Sequence, residues 1–255
     1  MIEYKDIEKI VYLIPARNFY DGLTDSKIAR DYQGYIEFQS QTYNQTKKRS
    51  DWVKLKRLIT DYESYLAGEH NEKALLTGYN KKDGDLFMLV DKKTNKDTYK
   101  ESIKAIYPRA YREIIKAYPA NTDEEAENNQ RKIYNAATFG YGHDVWSRLA
   151  VKKEPVYRYY FTKENKSIGS NHTGELPYAY GNLWTAPYLY DGTDRSLSNT
   201  MVSYWLNFVK TGDPNGSELP KWEPYTSGKV VEFGNKVGMI EDPNEGLYRI
   251  FDTGL

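Results

Sequence analysis

Hydrophobic spacing divides the chain unevenly. Ile7, Ile10, Val11 and Ile14 recur at helical intervals up to Pro15, and Asp21-Gly22 marks a turn. Residues 39–50 are polar and predict a loop. Asp51 opens a predicted helix through about Ala67, with Trp52, Leu55, Leu58, Ile59, Tyr62 and Leu66 on one face and Gly68 as its stop. From Lys73 the pattern becomes more regular. KALLTGY (73–79) predicts a buried strand entering a loop. Residues 98–118 predict a helix carrying Ile103, Ile106, Tyr107, Tyr111, Ile114 and Ile115, divided at Pro108. Thr122-Asp-Glu-Glu125 is a capping box that opens a polar helix to about Phe139. Gly140 and Gly142 then predict a break before a helical piece bearing Val145, Trp146 and Leu149.

The second half reads more sharply. PVYRYYF (155–161) alternates Val156, Arg158 and Tyr160 against Tyr157, Tyr159 and Phe161, a strand with one aromatic face. Residues 196–212 predict a helix with a stripe of Leu197, Met201, Tyr204, Trp205 and Phe208, capped by Ser196 and ended by Gly212 and Pro214. Towards the C-terminus KVVEF and LYRIF read as short strands. Strand, helices, strand, helix in this order predict an α/β fold.

Composition narrows the function classes. The chain has 255 residues, 36 basic and 36 acidic side chains, three His and no Cys. That length suffices for one large domain or two small ones. Without Cys there is no disulfide scaffold, Cys₄ zinc site or cysteine nucleophile. Balanced charge gives no reason to expect nucleic acid or an anionic membrane as partner. The basic cluster Lys47, Lys48, Arg49, Lys54, Lys56 and Arg57 reads as a solvated helix face. No apolar run is long enough to span a bilayer, and IEYKDIEK after Met1 is too charged for a signal peptide. The expectation is a soluble, cytoplasmic chain, and the N-x-S/T sites at Asn44, Asn165, Asn171 and Asn215 are then chance matches. Neither His pairs at helical spacing nor a calcium-type acidic loop occurs, so no metal or other cofactor is expected. The 25 Tyr raise the idea of sugar-stacking platforms, but many lie on helix stripes or the 157–161 strand and are assigned to the core.

Three histidines leave few catalytic options. His70 lies in a polar turn, and His143, after two glycines, suits a cap or turn. His172 sits in GSNHTGELPYAYGN, a Gly-rich loop just past the aromatic strand, with Glu175 three residues on. Loops beyond strand ends are where α/β enzymes place a general base, although a structural or exposed histidine fits the same pattern. Asp83, in GYNKKDGDLF, fits an ordinary turn or a carboxylate that orients an imidazole. Acid before histidine is the α/β-hydrolase order once the serine has come earlier.

The runs HTGELPYAYGNL, LSNTMVSYWLNFVKTGDPNG and LPKWEPY resemble the C-terminal portion of type B carboxylesterases, a family that includes para-nitrobenzyl esterases, cholinesterases and the catalytically silent neuroligins. ALLTGYNKKDGDLF resembles the family segment that carries the triad acid, with Asp83 where Glu is usual, and PVYRYYF resembles the strand ahead of the catalytic loop. The matches span residues 62–226. The resemblance implies the C-terminal part of an α/β-hydrolase fold over 62–255, an incomplete central sheet flanked by helices, with 1–61 unassigned. It further implies His172 as triad base, Asp83 as triad acid and Glu175 as loop support. Trp205, Asn207, Phe208, Gly212, Asp213, Pro214 and Trp222 fall on structural positions of the family.

A serine esterase also needs a nucleophile in G-x-S-x-G and a Gly-rich oxyanion loop. Ser170, Ser217 and Ser227 each have a neighbouring Gly, yet none fits that elbow, and no H-G-G-G-like run occurs. The sequence therefore predicts the C-terminal portion of a serine carboxylester hydrolase from a truncated or split gene, with acid and base but no nucleophile. Such a chain is expected to be marginally folded and inactive alone, acting on a small carboxylic ester only when an N-terminal esterase half is supplied. The alternative is a non-catalytic binding protein of esterase-like architecture. Retention of both Asp83 and His172 favours the catalytic descent.

Overall fold

The structure, a computed structural model, describes residue 69 and residues 71–86, 94–226 and 228–253. The helices read over 7–14 and 51–67, the turn at 21–22, the loop at 39–50, the basic cluster and His70 lie outside the described residues.

Four strands form one sheet in the order β1 (Leu75–Asn80), β2 (Val156–Phe161), β3 (Lys229–Phe233) and β4 (Val237–Glu241). β1, β2 and β3 run parallel, and β4 returns antiparallel to β3. Parallel neighbours need long crossovers, and helices supply them. Between β1 and β2 lie α1 (Lys96–Ile106), α2 (Tyr111–Ala117), α3 (Asp123–Asn135) and α4 (Tyr141–Ala150). Between β2 and β3 come the single turn α5 (Leu176–Ala179) and the long α6 (Gly192–Thr211), and α7 (Glu245–Thr253) closes the described chain. No helix among the described residues is long and apolar enough to cross a membrane.

The alternation read in PVYRYYF holds. Tyr157 lies edge-on to Phe208 and Trp222, Tyr159 packs on Trp205, and Phe161 meets Tyr178. Leu197, Met201 and Tyr204 of α6 complete this layer with Val231 and Phe233. The fully buried Trp222 donates its indole N–H to Arg158 O at 3.1 Å, fixing the LPKW segment beneath the sheet. Asn207 Nδ2 donates to Pro214 O (3.2 Å) and Asn215 O (3.1 Å), which folds the TGDPNG turn back onto α6. Among the described residues ten tyrosines are buried, which places many of them in the core.

On the opposite face Arg158 is wholly buried and donates to Asp144 Oδ1 of α4 (3.1 Å) and Asp242 Oδ2 after β4 (2.9 Å). Asp144 also takes Tyr225 Oη (2.9 Å), Arg148 (2.9 Å) and Arg249 of α7 (3.0 Å). One strand residue thereby ties the sheet to two helices and the β4–α7 connection.

Several boundaries differ from the sequence reading. α6 starts at Gly192 and not at Ser196, because Asp191 and Asp194 form a capping box: the Asp191 carboxylate accepts Asp194 N–H (3.1 Å), and the Asp194 carboxylate accepts Asp191 N–H (2.8 Å). The break at Gly140 is absent, since α3 passes through a π-helical turn (Ala136–Gly140) straight into α4. Gly140 serves a close approach there, as a Cβ on it would stand 2.3 Å from Tyr248 Oη. LYRIF is helical within α7, because Leu247, Tyr248 and Phe251 bury one helical stripe, and five residues cannot separate that spacing from strand alternation.

His143 is likewise neither a cap nor a turn residue. It sits inside α4 and shares a 2.6 Å hydrogen bond through Nδ1 with Thr77 Oγ1 of β1, its ring stacked 6.2 Å from that of Tyr79. Burial, aided by the Arg158 charge, pushes its pKa down to about 4. An unfolded histidine titrates near 6.5, so between those values the unfolded chain takes up a proton that the native chain refuses. Stability therefore falls as pH drops through this window, by up to about 3 kcal/mol. Urea midpoints measured from about pH 7 to about pH 5 should fall more steeply for the parent than for His143→Gln, and parallel curves would contradict this account.

Candidate active site

Strands β1 and β2 deliver their following loops to the same edge of the sheet. Beyond Asn80 the chain turns at once, with Asp83 N–H donating back to Asn80 O (3.2 Å). The loop after β2 returns beside it: Lys82 N–H donates to Ser170 O (2.9 Å), and Lys82 pairs with Asn171 as an isolated parallel bridge. Backbone bonding thus joins the two loops beyond the sheet, directly beside Asp83 and His172.

His172 Nδ1 lies 2.7 Å from Asp83 Oδ1. The other carboxylate oxygen, Oδ2, accepts the backbone N–H of Asn80 at 2.8 Å. Asp83 is 6% exposed, whereas the His172 side chain is 44% exposed, so the acid is inside and the imidazole stands at the surface. The Phe139 ring lies tilted 5.6 Å from that of His172. Burial raises the Asp83 carboxyl above its ordinary range, opposed by the Asn80 bond and by the imidazole. An ionised carboxylate only accepts, so the proton between them sits on Nδ1 and Nε2 is the basic nitrogen. Asp is one methylene shorter than Glu, and the Lys82–Asn171 bridge brings the loops close enough for it to reach.

The histidine loop is tightly wound. Thr173, next to His172, has φ +67°, a left-handed conformation that costs a side-chain-bearing residue about 1 kcal/mol or more. Gly174 is obligatory, because a Cβ there would stand 1.9 Å from Gly169 O. Glu175 accepts from Asn80 Nδ2, which also donates to Asn171 O (2.9 Å). Burial raises the Glu175 carboxyl, and the Asn80 amide acts against that rise.

Ser170 is buried and its hydroxyl donates to Glu164 Oε1 at 2.7 Å. Among the described residues no group of three or more His, Asp or Glu is placed to hold a metal ion. The amides of Asn165, Asn171 and Asn215 donate to Tyr178 Oη, Ile168 O and Trp222 O, bonds that a glycan on any of them would disrupt.

Sequence reasoning singled out Asp83, His172 and Glu175 but missed two asparagines that shape the site. Asn80 touches the acid, the histidine loop and Glu175. Asn135, the last residue of α3, accepts Gly84 N–H at 2.5 Å and donates to Asp85 Oδ1 at 2.8 Å, holding the acid turn from behind. A polar residue closing an apolar strand, three positions before the acid, was the available signal for Asn80. Asn135 left no local signal, since its partners lie 51 and 50 residues away.

A mostly parallel sheet flanked by helices, with a carboxylate–imidazole pair on loops at the carboxyl ends of neighbouring strands, defines an α/β protein whose candidate site lies where such folds bind ligands. The model of the carboxylesterase family matches residues 22–249, and the chain belongs to that family. The match begins upstream of the boundary at residue 62 read from the motifs. Human bile salt-activated lipase is 27% identical over 194 residues, covering 64% of this chain and 26% of that protein. The bovine bile salt-activated lipase is 27% identical over 59% of this chain and 30% of its own length. A rat pyrethroid hydrolase, Ces2e, is 34% identical over 77 residues, 27% of this chain and 14% of that protein. The chain thus spans less than a third of these curated relatives. Among solved structures a PNB esterase superposes with a TM-score of 0.57 at 20% identity, over 74% of this chain and 40% of that one, a shared α/β-hydrolase fold.

Proposed function

We propose that this chain supplies the base and acid of a serine carboxylic ester hydrolase, with His172 as general base and Asp83 as the acid that orients it. The observation that carries the reading is the 2.7 Å contact between Nδ1 and Oδ1 across two loops 89 residues apart in sequence. Family membership, the relatives named as a lipase and a pyrethroid hydrolase, and the solved esterase support a carboxylic ester as the substrate class. A binding protein without chemistry has no need of a buried carboxylate bonded to a half-exposed imidazole.

The 255 residues contain no G-x-S-x-G, so the nucleophile belongs to polypeptide outside them, as do the backbone donors for the oxyanion. In that assembly the serine hydroxyl passes its proton to His172 Nε2 as its oxygen attacks the ester carbonyl. Asp83 stabilises the imidazolium so formed, and the proton then leaves with the alkoxide. Water repeats the sequence on the acyl-enzyme, with His172 again as base. Glu175 holds the loop and takes no proton in this scheme.

Two assays test the reading. The chain alone should hydrolyse para-nitrophenyl acetate no faster than its His172→Ala variant. Joined to the nucleophile-bearing portion of a carboxylesterase, it should support covalent labelling of that serine by a fluorophosphonate, and His172→Ala should suppress the labelling. Turnover by the chain alone above the variant would refute the need for an outside nucleophile. Labelling indifferent to His172 would refute its role as base.

A further inference from the structure

Asn80 closes β1 and is 1% exposed. All but one of its polar groups is engaged at the candidate site. Its backbone N–H donates to Asp83 Oδ2 (2.8 Å), and its carbonyl accepts Asp83 N–H (3.2 Å). Its side-chain Nδ2 donates to Asn171 O (2.9 Å) and to Glu175 Oε2. Asn171 immediately precedes His172 and Glu175 follows it by three residues, so one amide grips the histidine loop on both flanks. The remaining group, Oδ1, is buried without a hydrogen-bond partner. A buried carbonyl without a donor loses its solvation uncompensated, a penalty that an apolar residue ending this strand would avoid. Stability alone is a poor reason for asparagine here.

We propose that Asn80 is a positioning residue for the pair, fixing Asp83 to the end of β1 through its backbone and the His172 loop to the same point through its side-chain amide. The separation of acid and imidazole is then set by a single residue that touches both loops. The side chain acts through the loop alone, since the backbone bond to Asp83 survives any substitution except proline. Asn80 also separates two carboxylates, Asp83 and Glu175, whose mutual repulsion acts to raise the Glu175 pKa. An aspartate at this position would add a third negative charge and remove both donors. This inference rests on reading Asp83 and His172 as the catalytic pair, and its test separates the two ideas.

The test is proton NMR of the ¹⁵N-labelled full chain, read at the low-field imidazole N–H of His172. The parent should show a protected low-field resonance that Asp83→Asn removes. Asn80→Ala should lose that resonance or exchange it with water at least about tenfold faster, since both side-chain hydrogen bonds that hold the loop are lost. Thr77→Val, which removes a part-buried side-chain hydrogen bond on the same strand, should retain it. An unchanged resonance in Asn80→Ala would overturn the proposal while leaving the pair intact. Absence of any Asp83-dependent resonance in the parent would overturn the pair itself, and the proposal with it. If Asn80→Ala loses its dispersed spectrum, Glu175→Ala reads the same clamp from the loop side: faster exchange supports it, and an unchanged signal overturns it.

Discussion

Ester turnover by the chain joined to a nucleophile-bearing partner is expected to fall by about 10⁶ in kcat on His172→Ala and by about 10⁴ on Asp83→Asn, with KM little changed. The two losses differ for a structural reason. In the proposed scheme His172 carries the proton in both half-reactions, so removing it would disable attack and leaving-group departure together. Asp83→Asn preserves shape but turns a pure acceptor into an amide that can donate to Nδ1. That favours the tautomer in which Nε2 holds the proton and is no longer basic. Asp83→Glu keeps the charge but adds a methylene to a carboxylate whose two oxygens are already matched to His172 and Asn80, and its rate should fall between parent and amide. A raised KM at unchanged kcat for either first substitution would show that the residue only holds substrate.

Arg158→Met is expected to cost about 3–5 kcal/mol at neutral pH. Arg158 is fully buried between Asp144 and Asp242. Asp144 retains Arg148, Arg249 and Tyr225 without it. The Asp242 carboxylate retains only the backbone N–H of Asn244, at 2.9 Å, among its hydrogen bonds. Burial already raises the Asp242 carboxyl, with Arg158 the main charge holding it down. In the variant it rises further, and the native state takes up a proton before the unfolded state does. The penalty is therefore present above that raised pKa and shrinks as pH falls through it. Loss of the guanidinium also eases protonation of His143, which acts in the same direction. Urea denaturation of parent and variant near pH 7 and near pH 5 checks both statements. An equal penalty at the two pH values would refute the assignment of the cost to unpaired Asp242.

Periodicity was a good guide where burial is one-sided. The two faces of β2 and the stripe of α6 are alternations a single stretch of sequence can display, because each side chain's neighbours follow from its position along the element. Errors fell where a distant partner overrides the local pattern. Gly140 looked like punctuation, yet it exists to admit the Tyr248 hydroxyl from a helix more than a hundred residues away. LYRIF reads as a short strand because five residues cannot separate helical spacing from strand alternation, and the helical core that buries Leu247, Tyr248 and Phe251 decides otherwise. Arg158, an odd charge in an aromatic strand, could be placed on a face but not explained until both of its aspartates were in view.

The sequence by itself determined the family likeness, the presence of an acid and a base in hydrolase order, and the lack of a nucleophile elbow in these 255 residues. These depend on residue type and order, which the chain displays directly. Tertiary structure decided whether Asp83 and His172 meet, since their meeting depends on parallel pairing of β1 with β2 and on the Lys82–Asn171 bridge beyond it. It also decided the parts played by Asn80 and Asn135, whose hydrogen bonds run to residues half a crossover or a whole crossover away. Hydrogen bonds across loops are set by distance and direction in space, and no spacing along the chain encodes them.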